Sequence, residues 1–367
     1  CIHMIRIPYD AVVVAHEQMS MFAWMSILEA VLQLGIIFLL MTIYGDSLIY
    51  YSASVALVAI VLYLCYYIYV RRKFEAYRFR FVWDKEYSMR ILSFSGWTLL
   101  GSGTNTATQQ GTNLLMNNFV GLVANAALGF AGQVNIAVSK FVNGFSTAFT
   151  PQIIKLYAQK DYVALFKLIN RSSKFSFALC YLMALPLIVN MGFILSLWLG
   201  DDVPLYTKEF CQLILVCTII DATTGVFNTT ITASGNIRNY QISISLSFLL
   251  DLVCCSLLLC MRMNPVLVFS SRILTRGIIN MMIGLYFMKK YTGFCIHDYC
   301  SSILRKICCT IILTVVPVSC IAMLTSGWLK FVTTSLLSVI IVCGSVYGLL
   351  MTATERKVII AKVKSVI

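Results

Sequence analysis

The chain has 367 residues, 59% of them hydrophobic and 12% charged, against about 45–50% and 25% in ordinary soluble domains. With a mean hydropathy of +0.85, these values exclude a disordered chain, a coiled coil, a secreted disulfide scaffold and a normal soluble enzyme. An integral membrane protein remains, and its apolar runs of about 20 residues, without alternation, make it helical rather than a barrel. The net charge of +13 would suggest nucleic acid in a soluble protein. Here the basic residues crowd one set of loops, so no nucleic-acid partner is expected.

Residues 1–20 are mixed in character and read as a cytoplasmic loop; because the chain opens at Cys1, an N-terminal truncation is expected. Two apolar segments follow, 21–44 and 48–70, and then a basic stretch, 71–90. Segments 91–120 and 123–150 come next. Residues 151–174 carry Ile154, Leu156, Tyr157, Val163, Phe166 and Ile169 at helical spacing, which predicts an amphipathic interfacial helix. Four more segments, 175–199, 208–234, 240–261 and 266–288, precede a cytoplasmic loop at 289–304. The pair 305–325 and 329–353 and a basic tail, 354–367, complete the chain. Each segment is long enough to cross about 30 Å of hydrocarbon.

Ten crossings put alternate loops on opposite sides. One set, with the adjoining helix ends, holds 22 Lys and Arg, and the other holds only Lys208, Arg262 and Lys330. The positive-inside rule makes the first set cytoplasmic, and the C-terminus with it.

The cysteines sit mostly inside apolar runs, as in Cys254-Cys255 and Cys308-Cys309. They read as small hydrophobes, so no disulfide, metal or cofactor is expected. His3, His16 and His297 all fall in loops. No nucleotide-binding or hydrolase motif is present, so the expected protein is not an enzyme.

The polar residues inside apolar segments point to function. Gly101, Asn105, Gln109, Asn113 and Asn117 recur every fourth residue, a stripe that winds slowly round one side of a helix. Asn125, Gln133, Asn135, Ser139, Lys140 and Asn143 continue the theme. Facing lipid, these amides would be costly. Either they glue helices together or they line a hydrated cavity suited to a sugar.

Glu29, Lys140, Asp221, Asp251, Arg272 and Arg276 are the charges within the segments, each costing at least about 2.5–3.5 kcal/mol at the bilayer centre unless paired or hydrated. Arg272 and Arg276, four residues apart, share a helix face and suit phosphate or pyrophosphate. Asp221 and Asp251 fit coupling ions or counter-ions, and pairing of Asp251 with Arg272 is the structural alternative. Glu29 lies near the end of its helix, within reach of the interface.

Three stretches carry a resemblance: RIPYDAVVVAHEQMSMFAWMSILEA (6–30), FSTAFTPQIIKLYA (145–158) and LPLIVNMGFILSLWLGDDVPLYTKEF (185–210). They resemble bacterial polysaccharide flippases, the exporters of lipid-linked O-antigen and capsule oligosaccharides. That family belongs to the superfamily that also holds the MATE drug exporters. The resemblance implies a MATE-like two-lobe helical bundle, with about ten of fourteen transmembrane helices present here. Residues 21–70 would be the last two helices of the first lobe, 71–90 the interlobe linker, 91–288 the second lobe and 305–353 the extra pair.

It further implies alternating-access flipping of undecaprenyl-diphosphate-linked oligosaccharide across the bacterial cytoplasmic membrane. The expected partners are that substrate, membrane lipids, and the polymerase and glycosyltransferases of the same pathway. On this reading Lys140, Arg272 and Arg276 contact pyrophosphate or acidic sugars, and Asn105, Gln109, Asn113 and Gln133 line the sugar path. The rival expectations are a cation-coupled multidrug exporter and a membrane polysaccharide polymerase or ligase.

Overall fold

The computed structural model describes residues 2–40, 47–74, 84–200, 202–324, 327–351 and 355–356. Among the described residues there are only helices and the turns between them. Nine helices among the described residues are long and apolar enough to cross a membrane, so the chain is an all-α integral membrane protein. The chain divides into two compact units, Cys1–Lys85 and Glu86–Ile367. Residues 75–83 of the basic stretch 71–90, and the tail beyond Arg356, lie outside the described residues.

In the first unit, residues 2–15 correct the loop expectation by forming a helix, α1 (Ile2–Ala15), despite Pro8 within it. Its apolar face explains why. Val13 is fully buried against Tyr66 and Val70 of α3 (Ser47–Lys73), and the Tyr9 ring sits edge-on to Tyr63 and Tyr67. Burial of these side chains outweighs the one backbone hydrogen bond that proline removes. The spanning helix α2 (Met19–Leu40) packs on α3 through Ile36, Val58 and Leu62.

The second unit begins with α4 (Lys85–Phe119), the expected segment 91–120 extended to 35 residues. It is long enough to cross, but its amides and hydroxyls keep it out of the nine apolar spans. After α5 (Leu122–Thr147) comes α6 (Thr150–Ala158) and then α7 (Tyr162–Leu199). The single amphipathic helix expected over 151–174 is therefore two pieces. The Asp161 side chain accepts from the Ala164 N–H at 3.0 Å and starts α7 afresh.

α7 bends at Asn190, which leaves helical geometry one turn after Pro186. The Asn190 amide donates to the Pro186 carbonyl at 3.0 Å and to Thr334 Oγ1 at 2.8 Å. The kink is thereby tied to α12 (Gly327–Leu350).

Helix α8 (Thr207–Ala233) runs through the middle of this unit, packed on α5 and α7. Helix α9 (Arg238–Cys260) turns at Asn264-Pro265 into α10 (Pro265–Thr292). Residues Ile273–Ile278 of α10 form a π-helical turn. Gly293, in left-handed conformation (φ 73°), ends α10. Helix α11 (Ile296–Met323) follows almost at once, so most of the loop expected at 289–304 is helical.

Gly277 lies in the π turn where α10 meets α8. A Cβ there would come within 2.9 Å of Ile220 Cδ1. Gly277→Val is therefore expected to cost about 1–3 kcal/mol. The check is the thermal midpoint in detergent; an unchanged midpoint would refute this close packing.

Candidate functional site: a charged polar cavity

Asp251 on α9 is fully buried. Isolated, it would be untenable, and α10 supplies its partners. Arg276 Nε donates to Oδ2 at 2.8 Å, and Thr275 Oγ1 donates to Oδ1 at 2.7 Å. Arg272 Nε stands 3.4 Å from Oδ2. Both neighbours 275 and 276 reach one carboxylate because they sit in the wide π turn, which changes the angle between successive side chains. Ser247 Oγ donates to the Thr275 carbonyl at 3.0 Å and holds the same turn from α9.

The guanidiniums also lie on aromatic faces, Arg276 4.8 Å from the Phe248 centroid and Arg272 5.1 Å from that of Phe269. Arg276 Nη1 reaches α4, donating to Asn105 Oδ1 at 2.8 Å. Arg276 Nη2 is buried without a hydrogen-bond partner, as is Asn280 Oδ1 one turn on. Arg272 makes no hydrogen bond among the described residues beyond its ion pair with Asp251.

Arg272, Arg276, Asn105, Gln109 and Asp221 line one cavity of about 200 Å³. Asp251 anchors its wall from behind. A second cavity of about 320 Å³ runs along α5 and α8 toward their C-terminal ends, past Asn143, Ser146, Thr147 and Asn228. Thr218 and Asp221 line both. Asn135 fixes the junction, its Oδ1 accepting from Thr218 at 2.7 Å and Ser139 at 3.1 Å. The two cavities give a polar path with two guanidiniums, the Asp221 carboxylate and a wall of amides and hydroxyls.

The other candidates lie elsewhere. Asn113 leaves the cavity because four-residue steps drift by about 40° each on a helix, so it stands about 80° from Asn105. It meets Gln110 instead, at 3.5 Å. Gln133 and Lys140 are exposed on α5, beside the cavity-facing Asn135 and Ser139 but turned away by one or two residues of helical rotation. Glu29 belongs to the first unit, 3.6 Å from Arg6 Nη1. Among the described residues no group of His, Cys, Asp and Glu could hold a metal ion. Asn280, Phe248 and Phe269 complete the cavity wall. Asn280 was legible as the four-residue continuation of Arg272 and Arg276, whereas the two rings are ordinary apolar residues in sequence.

Residues 8–157 match the family model described as polysaccharide biosynthesis protein. That stretch is similar to the polysaccharide biosynthesis protein family. The family region contains Asn105, Gln109 and Asn135 and ends before Asp221, Asp251 and the two arginines. It supports a role for this membrane protein in polysaccharide biosynthesis or export. No curated protein and no solved structure matches the chain.

Proposed function

We propose that the chain translocates a lipid-linked oligosaccharide across the bacterial cytoplasmic membrane by alternating access, without covalent chemistry. The observation that carries this reading is a polar cavity, walled by guanidinium and amide groups, inside a multi-span protein with a polysaccharide biosynthesis region. Arg272 supplies the phosphate contact, since Asp251 is shared between it and the more tightly held Arg276. Asn105, Gln109, Asn135 and Asn280 meet sugar hydroxyls. Asp221, at the junction of the two cavities, balances the arginines or carries a coupling cation.

A cationic drug fits this cavity less well. The rings it would stack on, Phe248 and Phe269, already face Arg276 and Arg272.

The test replaces the gene in its own cells with Arg272→Gln or Gln109→Ala. Losing a charged hydrogen bond is worth about 1.5–3 kcal/mol. Arg272→Gln is therefore expected to cut surface polysaccharide at least tenfold, with lipid-linked precursor accumulating and membrane level unchanged. Undiminished export at normal expression in both variants would refute the site.

A further inference from the structure

A second charged recess lies away from this cavity, near the first turns of α7. Lys167, Arg171 and Lys174 recur there at spacings of four and three, so one helix face carries all three. The start of α11 faces them with Ser302, Ile303 and Lys306. These groups, with Asn170 and Glu355, frame an open recess of about 500 Å³. Its single carboxylate among the described residues, Glu355, takes Lys174 Nζ at 3.0 and 3.1 Å. Lys174, only 9% exposed, also lies 3.4 Å from the Leu350 carbonyl. Arg171 and Lys167 stay exposed at the rim. Among the described residues four cations thus share one anion, and like charges at helical spacing repel.

The depth of the recess indicates what offsets this excess. α7 has 38 residues, about 57 Å of helix against about 30 Å of hydrocarbon. Its first turns therefore extend past the apolar core at the basic end of the spans, where α11 brings Arg305 and Lys306. Headgroup phosphates lie at that level, and basic pockets between spans on that side suit them.

We propose that this recess binds the phosphate of an anionic phospholipid. Lys167, Arg171 and Lys306 contact the phosphate, and Glu355 competes with it for Lys174.

The test places the whole chain in three nanodisc preparations: phosphatidylcholine alone, phosphatidylcholine with added inorganic phosphate, and phosphatidylcholine with one-fifth phosphatidylglycerol. Lysine-directed labelling is read by mass spectrometry, with the exposed Lys155 and Lys160 outside the recess as references. Phosphatidylglycerol is expected to lower labelling of Lys167 and Lys306 about threefold relative to Lys160. Glu355→Gln should deepen that protection. Arg171→Ala, at an exposed position and so safe for folding, should abolish it at Lys306. An equal fall at all four lysines would reduce the effect to general surface attraction and overturn the proposal. So would full protection in the Arg171→Ala chain. Equal protection by inorganic phosphate in phosphatidylcholine would replace the lipid by a free anion.

Discussion

Asp251→Ala is expected to abolish most of the folded protein recovered from membranes. The fully buried carboxylate holds Thr275 and Arg276 directly and stands 3.4 Å from Arg272. Removing it leaves two guanidiniums, 12% and 14% exposed, without their counter-ion. Breaking a buried pair from one side costs about 3–5 kcal/mol, a large share of a typical folding stability of about 5–15 kcal/mol. Replacing the cluster by apolar side chains is often nearly neutral. Asp251→Leu combined with Arg272→Met and Arg276→Met should therefore recover most of the fold while losing export. Gel filtration and the thermal midpoint in detergent measure the first effect, and surface polysaccharide the second. A single Asp251→Ala chain as stable as the parent would show that the network does not support the fold.

Tyr299→Ala is the second large effect. Tyr299 is 1% exposed at the start of α11, edge-on to Phe227 of α8 at 5.2 Å. The Ser173 hydroxyl on α7 donates to the Thr223 carbonyl of α8 at 2.7 Å. Its oxygen is then free to accept from the Tyr299 hydroxyl, also at 2.7 Å. One tyrosine therefore joins three helices by packing and a two-step hydrogen-bond chain. Truncation to alanine should cost about 3–5 kcal/mol, as for large aromatic residues in cores. Tyr299→Phe removes only the hydroxyl and should cost about 1 kcal/mol, since interhelical hydrogen bonds in membranes average about 0.6. The difference in thermal midpoint between the two variants checks the division; equal losses would make the hydroxyl, not the ring, the main contributor.

The spans themselves were legible in the sequence because length and hydropathy are nearly sufficient to specify a helix in lipid. The amides of α4 and the paired arginines were legible too, because a polar group at that depth must be paired, hydrated or in contact with a solute. Which of them face the cavity was harder. That depends on helical phase, and a step of one residue between Ser139 and Lys140 takes the lysine out of the polar path. The π turn at Ile273–Ile278 has no proline or glycine pair to announce it, and it is what lets Thr275 and Arg276 share Asp251. Two local signals do mark the remaining differences. Asp161 is a good N-cap, which separates α6 from α7. Tyr9 and Val13, four residues apart, give α1 a face to bury despite Pro8.

The pairing of Asp251 with α10 also bears on how the chain is made. Its charges are divided between two consecutive helices joined by a short turn at Met261–Asn264. Threaded alone into lipid, α9 carries an uncompensated aspartate and α10 two arginines, at about 2.5–3.5 kcal/mol for each. Inserted as a hairpin, they neutralise each other before either meets the acyl chains. Biosynthesis thus favours holding α9 at the translocon until α10 has emerged from the ribosome.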